Sequence, residues 1–449
     1  MLPTDARAET RRLLGLAWPV MLTALNWTVM QATDVAVVGL VGLDEAAAFG
    51  ASRSLTYIGM VVAFGWLSGV LVYVSRADGA KDLAETGRVF QQGLLLALLL
   101  GGVVCGALIL SAGALLHLLG VPAALAAPAE RVVVVTAFAY PFQLIGSSAS
   151  FFLEGVSRPR RVMAVNLTVL PVNALLAWAW SGGHLGLPAW GAVGAAAATV
   201  AASALTAVLM LAAAVTLPRA RERAVRARQA IGPMLRGVWR LFAFGTVPAI
   251  ASGLELAGFS ILIGLSTQLG EVAPHAFQIV FATHNLTFAA AYGFGSAAGV
   301  RVGNAVGEGR REAALGRTAI AAALTAAAML AIAVALWLGA AQAAAIFPAR
   351  PEVHAMAASM LVVWAAFILF DGLQIVFLFA LRSLGDQVAA GINSVVAYFV
   401  VTGAAGWALV HAGVGPMSLV WASAAGMVAA ALLHGGRFLW ISSPRRRRS

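Results

Sequence analysis

Two stretches of this chain, Val162 to Pro218 and Gln387 to Gly436, run for 57 and 50 residues without one Asp, Glu, Lys or Arg. A helix that crosses a bilayer needs about 20 apolar residues, so each stretch holds two crossings. Val89 to Ala129 and Thr318 to Ala349 are equally free of charge. Hydrophobic residues make up 61% of 449 and charged ones 10%, with a mean hydropathy of +0.90. No water-soluble globular domain of this length has that balance. The fold class expected is therefore all-α, a polytopic membrane protein with its spans buried in the lipid bilayer.

Twelve transmembrane helices are predicted, near 13–39, 50–75, 89–110, 127–153, 162–181, 189–215, 241–267, 272–303, 314–338, 353–381, 388–410 and 416–440. Pro141, Pro171 and Pro248 fall inside spans, where a membrane helix tolerates them and often bends.

The net charge of +11 would suit a nucleic-acid binder, but its distribution follows the membrane instead. With the N-terminus in the cytoplasm, 26 of the 29 basic residues lie in the tails and the even-numbered loops, against Arg53, Arg131 and Arg350 outside. By the positive-inside rule both termini are cytoplasmic, in a multi-pass protein of the cell's inner (plasma) membrane. No nucleic-acid partner is called for, and the chain is expected to act as a monomer. Cys105 stands alone in an apolar span, so no disulfide or thiolate metal site forms within one chain. The seven histidines lack a ligand spacing, and no metal site is expected. The first span is too long for the h-region of a cleavable signal peptide.

The chain repeats itself. Gly42 pairs with Gly270, Gly79 with Gly307, Leu153 with Leu381 and Pro188 with Pro416, all 228 residues apart, and Pro19 pairs with Pro248 at 229. Each copy holds six spans, an even number, which gives both the same orientation. The organisation expected is a first six-helix lobe over 1–217, a basic cytoplasmic linker over 218–240, a second lobe over 241–440 and a basic tail over 441–449. Two such pseudo-symmetric lobes are the mechanical parts of alternating access.

Three carboxylates sit deep in predicted spans: Asp34 in the first half, Glu255 and Asp371 in the second. An ion at the bilayer centre costs about 3 kcal/mol on insertion scales. Keeping an aspartate neutral at pH 7 costs roughly 4 kcal/mol. Because the two costs are comparable, a modest change of surroundings can switch such a group between its states. No Lys or Arg is expected deep enough to neutralise these acids, which leaves the task to cations from solution. Glu154 adjoins Arg158, Arg160 and Arg161 and is expected to form a solvated ion pair. His284 and Asn285 lie mid-span; helix packing is the expected role, lining a wet cavity the alternative. The glycine-rich GSAAGVRVG, at 295–303, follows a span and lacks the Lys-Ser/Thr of a phosphate loop, so small-residue helix packing is expected there.

Several segments carry a resemblance. WPVMLTALNWTVMQATDVAVVG, with Pro19, Asp34 and Gly39, resembles the first span of the multidrug and toxic compound extrusion (MATE) family, and SAAGVRVGNAVGEGRREAALGR resembles its eighth span and following loop. LEGVSRPRR, FDGLQIVFLFALRSLGD and HLGLPAWGAVGAAAATV resemble further family segments, in order, over about Leu13 to Leu439. The resemblance implies a bacterial multidrug antiporter, not an enzyme, that exports organic, cationic and lipophilic small molecules by alternating access. It implies Asp34, with Asn173 and Thr199 as polar neighbours, as the first-lobe group handling substrate or protons. It implies Glu255 and Asp371 as the second-lobe site for the coupling cation, and no cofactor beyond that Na⁺ or H⁺. Ala177 stands where some relatives have an acid or amide, Phe367 where some have tyrosine, and His-Ala-Phe-Gln-Ile at 275–279 where Ala-Ala-His-Gln-Ile is usual. The coupling ion stays open between Na⁺ and H⁺.

Two other functions compete. A lipid-linked oligosaccharide flippase of the same superfamily should line its cleft with basic residues, and none is seen deep in the spans. A membrane-embedded hydrolase or transferase should show paired acids on one helix or adjacent metal ligands, and neither is visible.

Overall fold

The computed structural model describes residues 6–443. Arg445 to Arg448, the core of the expected basic tail, lie outside the described residues. The first half of the chain forms α1 (Ala6–Val41), α2 (Leu43–Gly79), α3 (Leu83–Leu118), α4 (Ala123–Ala137), α5 (Ala139–Gly155), α6 (Pro159–Gly182) and α7 (Gly191–Val215). The second half forms α8 (Ile231–Ser266), α9 (Val272–Gly307), α10 (Arg311–Leu338), the short α11 (Ala340–Ala345), α12 (Pro351–Ala365), α13 (Ile368–Leu384), α14 (Gln387–Ser394), α15 (Thr402–His411) and α16 (Ser418–Ile441). A seven-residue π-helical segment, Val395–Val401, joins α14 to α15. Among the described residues there is no strand.

Nine of these helices, or continuous helical runs, are long and apolar enough to cross a bilayer, and the bent pairs α4 with α5 and α12 with α13 bring the number to eleven. The remaining long helix, α9, covers the eighth predicted span with 36 residues. Its Thr, His and Asn residues and its glycines lower its hydropathy. Several helices run well past the apolar stretch that marks them in the sequence. At 1.5 Å per residue the 37 residues of α2 extend about 55 Å, against roughly 30 Å of hydrocarbon. Helical hydrogen bonding in α2 outlasts the predicted apolar span at both ends.

The repeat is visible element by element. Gly79 and Gly307 are the last residues of α2 and α9, helices of 37 and 36 residues. Pro19 and Pro248 lie inside α1 and α8. Leu153 and Leu381 lie on α5 and α13, the second members of the two bent pairs, whose bends are 42° and 53°. Pro141 explains the first bend: its ring crowds the carbonyl four residues back, at Ala137, where α4 ends. No proline stands at the second, where Phe367 N–H bonds the Trp364 carbonyl at 2.9 Å in a tightened turn.

The structure divides into two compact units, one of Leu22–Ala249, the other of the chain up to Met21 together with Ile250 onward. In the Leu22–Ala249 unit Phe90 stacks on Phe152 with centroids 4.4 Å apart. Tyr140 is buried beside Leu144 and donates its hydroxyl to the Thr56 carbonyl. In the other unit Trp364, Phe277 and Phe438 are the largest fully buried side chains. The small residues of 295–303 serve packing there: a Cβ on Gly295 would meet Ile375 of α13 at 2.4 Å.

Three charged residues sit differently from expectation. Arg301, counted among the 26 cytoplasmic charges, is buried on α9, where it grips Glu9 of α1 in a two-pronged pair at 2.7 and 2.6 Å. Arg317 braces it by donating to the Arg301 carbonyl and to Glu308, both at 2.8 Å. Glu154, expected in solvent, is only 4% exposed and accepts from Ser150 at 3.1 Å.

Candidate functional site

In the Leu22–Ala249 unit the site is built on Asp34, 2% exposed on α1. Asn173 of α6 donates from Nδ2 to Asp34 Oδ1 at 2.7 Å, and Thr199 of α7 reaches Oδ2 at 3.4 Å. The three residues named from the resemblance are thus brought together by three helices. Thr199 also donates to the Ala195 carbonyl one turn back at 3.1 Å, so its hold on Asp34 is shared. A cavity of about 60 Å³ opens beside them, lined by Trp27, Gln31, Asp34, Arg53, Tyr57, Tyr140, Gln143 and Thr199 among others. That is room for about two waters.

Arg53 is the residue missed here. Counted among the outside charges at the start of the 50–75 span, it lies on α2, lines the Asp34 cavity and donates to the Gln31 carbonyl at 2.9 Å. Its charge is close enough to act on Asp34. The helix begins at Leu43, seven residues before the apolar span, and that extra length carries Arg53 into the protein.

In the other unit the site is built on Asp371. It sits in the first turn of α13, directly after the 53° break, where the free N–H groups of a new helix and its dipole favour a carboxylate. Gln374 and the Tyr398 hydroxyl approach Oδ1 at 3.4 and 3.5 Å. His284 Nδ1 stands 3.7 Å from Oδ2, too far for a hydrogen bond. Asp371 Oδ2, His284 Nδ1 and Gln374 Oε1 are all buried without a hydrogen-bond partner. Tyr398 comes from the π-helical segment, the kind of helix defect that gathers at functional sites. The segment passes close to α8 at Gly258, where a Cβ would lie 2.1 Å from the Tyr398 carbonyl oxygen.

His284 belongs to this site rather than to plain helix packing. It is ringed by Phe259, Phe281, Phe288 and Trp364, with centroids 5.3 to 6.1 Å away. Glu255 is on α8, half-buried, and within electrostatic reach of Asp371. The pair named from the sequence is therefore near in space without sharing a hydrogen bond.

Arg382 corrects the expectation that no basic residue lies deep enough to act on these acids. From the last turn of α13 its charge reaches Glu255, and its guanidinium lies 6.0 Å from the Phe379 ring with Nε buried and unpartnered. No ion pair within 4.0 Å joins it to Glu255 among the described residues. It lowers the local negative charge without closing the carboxylate off. Among the described residues no three His, Cys, Asp or Glu side chains converge as a set of metal ligands.

The structure thus holds two buried carboxylate sites, one in each half of a repeated bundle of long apolar helices. The MatE family pattern matches residues 19–179 and 248–405. The multidrug resistance protein NorM of Burkholderia vietnamiensis is 31% identical over 431 residues, 94% of this chain and 92% of that protein. The NorM of Vibrio parahaemolyticus serotype O3:K6 is 27% identical over 97% of this chain and 96% of that protein. The eukaryotic MATE transporter AtDTX14 superposes with a TM-score of 0.88 at 20% identity, covering 99% of each chain. The chain belongs to the MatE family, and its fold is the twelve-helix fold of MATE transporters.

Proposed function

We propose that the protein exports organic, cationic and lipophilic solutes in exchange for an inward Na⁺ or H⁺, by alternating access. The observation that carries this reading is the pair of buried oxygens, Asp371 Oδ2 and Gln374 Oε1, left without a donor beside Glu255. Hard cations take such oxygens as ligands, and a proton can be held there as well. Arg382 and His284 limit how many positive charges the site can accept, which favours a single monovalent ion. Asp34, held by Asn173 and Thr199, is the group that passes between an organic cation and a proton.

A ligand moves a conformational equilibrium only through unequal affinity for its states. Occupation of the Asp371 site and ionisation of Asp34 must therefore favour different arrangements of the helices that carry them. The names of the relatives, multidrug resistance proteins, support the solute class. The 26-to-3 distribution of basic residues supports cytoplasmic termini.

Purified protein in liposomes, loaded with a fluorescent organic cation, tests the reading. Efflux should accelerate under an imposed Na⁺ or proton gradient of inward sign and stop when that gradient collapses. Efflux indifferent to both gradients would overturn it. Cysteine labelling near Arg226 and near Arg350 tests the topology, which fails if both positions react from one side.

A further inference from the structure

The segment joining the two halves is built more firmly than a tether requires. Arg219 and Ala224 adopt left-handed backbone conformations, with φ of 62° and 51°. The chain lies so close on α3 that a Cβ at Gly87 would come within 1.7 Å of the Arg223 carbonyl oxygen. Gln91 of α3 donates to the carbonyls of Ala224, Val225 and Ala227 at 3.0, 3.1 and 2.7 Å. Gln229 donates to Gln91 Oε1 and to the Arg88 carbonyl, both at 3.0 Å, and accepts from Gln92 at 3.1 Å. Arg223 pairs with Asp78 at 2.8 Å.

This clamp encloses one side of an open cavity of about 400 Å³, lined by Gln91, Val225, Arg226, Arg228, Gln229 and Met234 among others. Its acceptors are spent within the protein, because the turned-in carbonyls and the glutamine oxygens already receive donors. The nearby acids are spent too. Glu222 is paired with Arg219, Asp78 with Arg223, Glu85 with Arg88 and Arg240, and Asp82 with Arg88. Arg226 and Arg228, both exposed, have no acidic partner within 4.0 Å among the described residues. What the cavity offers a ligand is therefore two guanidinium forks, which match the oxygens of a phosphate.

The chemistry next to the cavity is apolar. Met234 lines it from α8, and along the same first turns Ile231, Leu235 and Trp239 are 78%, 54% and 68% exposed. They recur at every fourth position, so they form a stripe on one side of the helix. An indole at this level is typical of the membrane interface, and α8 continues from here into its apolar span. A phosphate site beside a lipid-facing stripe is complementary to a phospholipid, charge to charge and chain to chain.

We propose that Arg226 and Arg228 hold the phosphodiester headgroup of an anionic phospholipid in this cavity, with an acyl chain along Ile231, Leu235 and Trp239. Native mass spectrometry of the full-length protein, titrated with phosphatidylglycerol, tests it. Wild type should retain one lipid in preference to phosphatidylcholine. The R226A/R228A variant should lose affinity by about thirtyfold, equal to about 2 kcal/mol at 1.4 kcal/mol per tenfold. R221A/R236A removes the same charge away from the cavity and should change retention less than threefold. W239A should weaken phosphatidylglycerol without affecting inorganic phosphate. Equal losses in both double variants would reduce the effect to net charge and overturn the proposal. Full competition by inorganic phosphate at millimolar concentration, or an unchanged affinity in W239A, would overturn its lipid part. A thermal midpoint of R226A/R228A in detergent within two degrees of wild type establishes that lost retention is not lost folding.

Discussion

The seam between α8 and the π-helical segment is the point where a single methyl group should separate folding from coupling. In Gly258→Ala the added Cβ would lie 2.1 Å from the Tyr398 carbonyl oxygen, 2.9 Å from its carbonyl carbon and 3.3 Å from Phe399 Cα. Ordinary contact begins near 3.4 Å, and all three neighbours are backbone, which no rotamer change can clear. The seam must open by about 1.3 Å. Overpacking of this kind costs about 1 to 3 kcal/mol, which is a few to about ten degrees in thermal midpoint for a unit of roughly 200 residues. The Tyr398 hydroxyl is already 3.5 Å from Asp371, so a shift of that size ends the contact. Ion-dependent efflux should fall at least tenfold, since a binding constellation works only when held to about 0.5 Å. Gly264→Ala, on the same helix with nothing within 4 Å, is the control and should match wild type in both measurements. Dye efflux in liposomes and thermal unfolding in detergent read the two effects. If Gly258→Ala behaved like Gly264→Ala in both, the close approach of α8 to the Tyr398 segment would have no part in folding or coupling.

Three further outcomes are expected. The Glu255→Gln, Asp371→Asn double variant should fold normally and lose its response to imposed Na⁺ and proton gradients; full coupling in that variant would remove the second-half acids from the mechanism. Asp34→Asn keeps the hydrogen-bonding shape of the site but cannot take up a proton, so its efflux should lose the pH dependence that wild type shows between pH 5 and 8; an unchanged profile would make Asp34 a structural contact. Arg301→Ala leaves Glu9 buried and unpaired, with an expected cost of about 3 to 5 kcal/mol in thermal stability, whereas Glu9→Leu with Arg301→Met should be close to neutral; a harmless single variant would show that Glu9 is not held in the buried pair.

Much of this architecture was legible because the bilayer imposes one rule on the whole chain. Apolar runs of fixed length give spans, and all twelve predicted spans are occupied by helices, counting the bent pairs α4 with α5 and α12 with α13 once each. The acids were legible for the same reason, since a carboxylate in an apolar run stands out by its cost. What hydropathy cannot mark is where a helix ends. Arg53 and Arg301 fall two or three residues inside the predicted spans 50–75 and 272–303 yet are counted with the charges flanking them, and both belong to helices that extend beyond those spans. His284 and Tyr398 were hidden differently. A neutral ring in an apolar span carries no penalty large enough to advertise, and only tertiary packing aims it at Asp371. The Val395–Val401 defect has no proline or glycine to announce it.

The repeat adds an argument that neither half gives alone. At the offset of 228, Asp371 corresponds to Gln143 and His284 to Thr56, and both counterparts line the cavity beside Asp34. At 229, the offset shared by Pro19 and Pro248, Glu255 corresponds to Asn26, which is buried and donates to the Asn166 carbonyl at 3.3 Å. Arg382 corresponds to Glu154, also buried. Each half thus places polar side chains at equivalent points of its bundle, but amides stand in the first where acids stand in the second. At its cavity the first half draws its negative charge from Asp34, whose counterparts Leu262 and Ile263 are apolar. Amide and carboxyl groups are close in shape, so the exchange alters charge with little change in packing. A repeated scaffold with charge at different points gives the two units different electrostatic environments on one shared backbone plan.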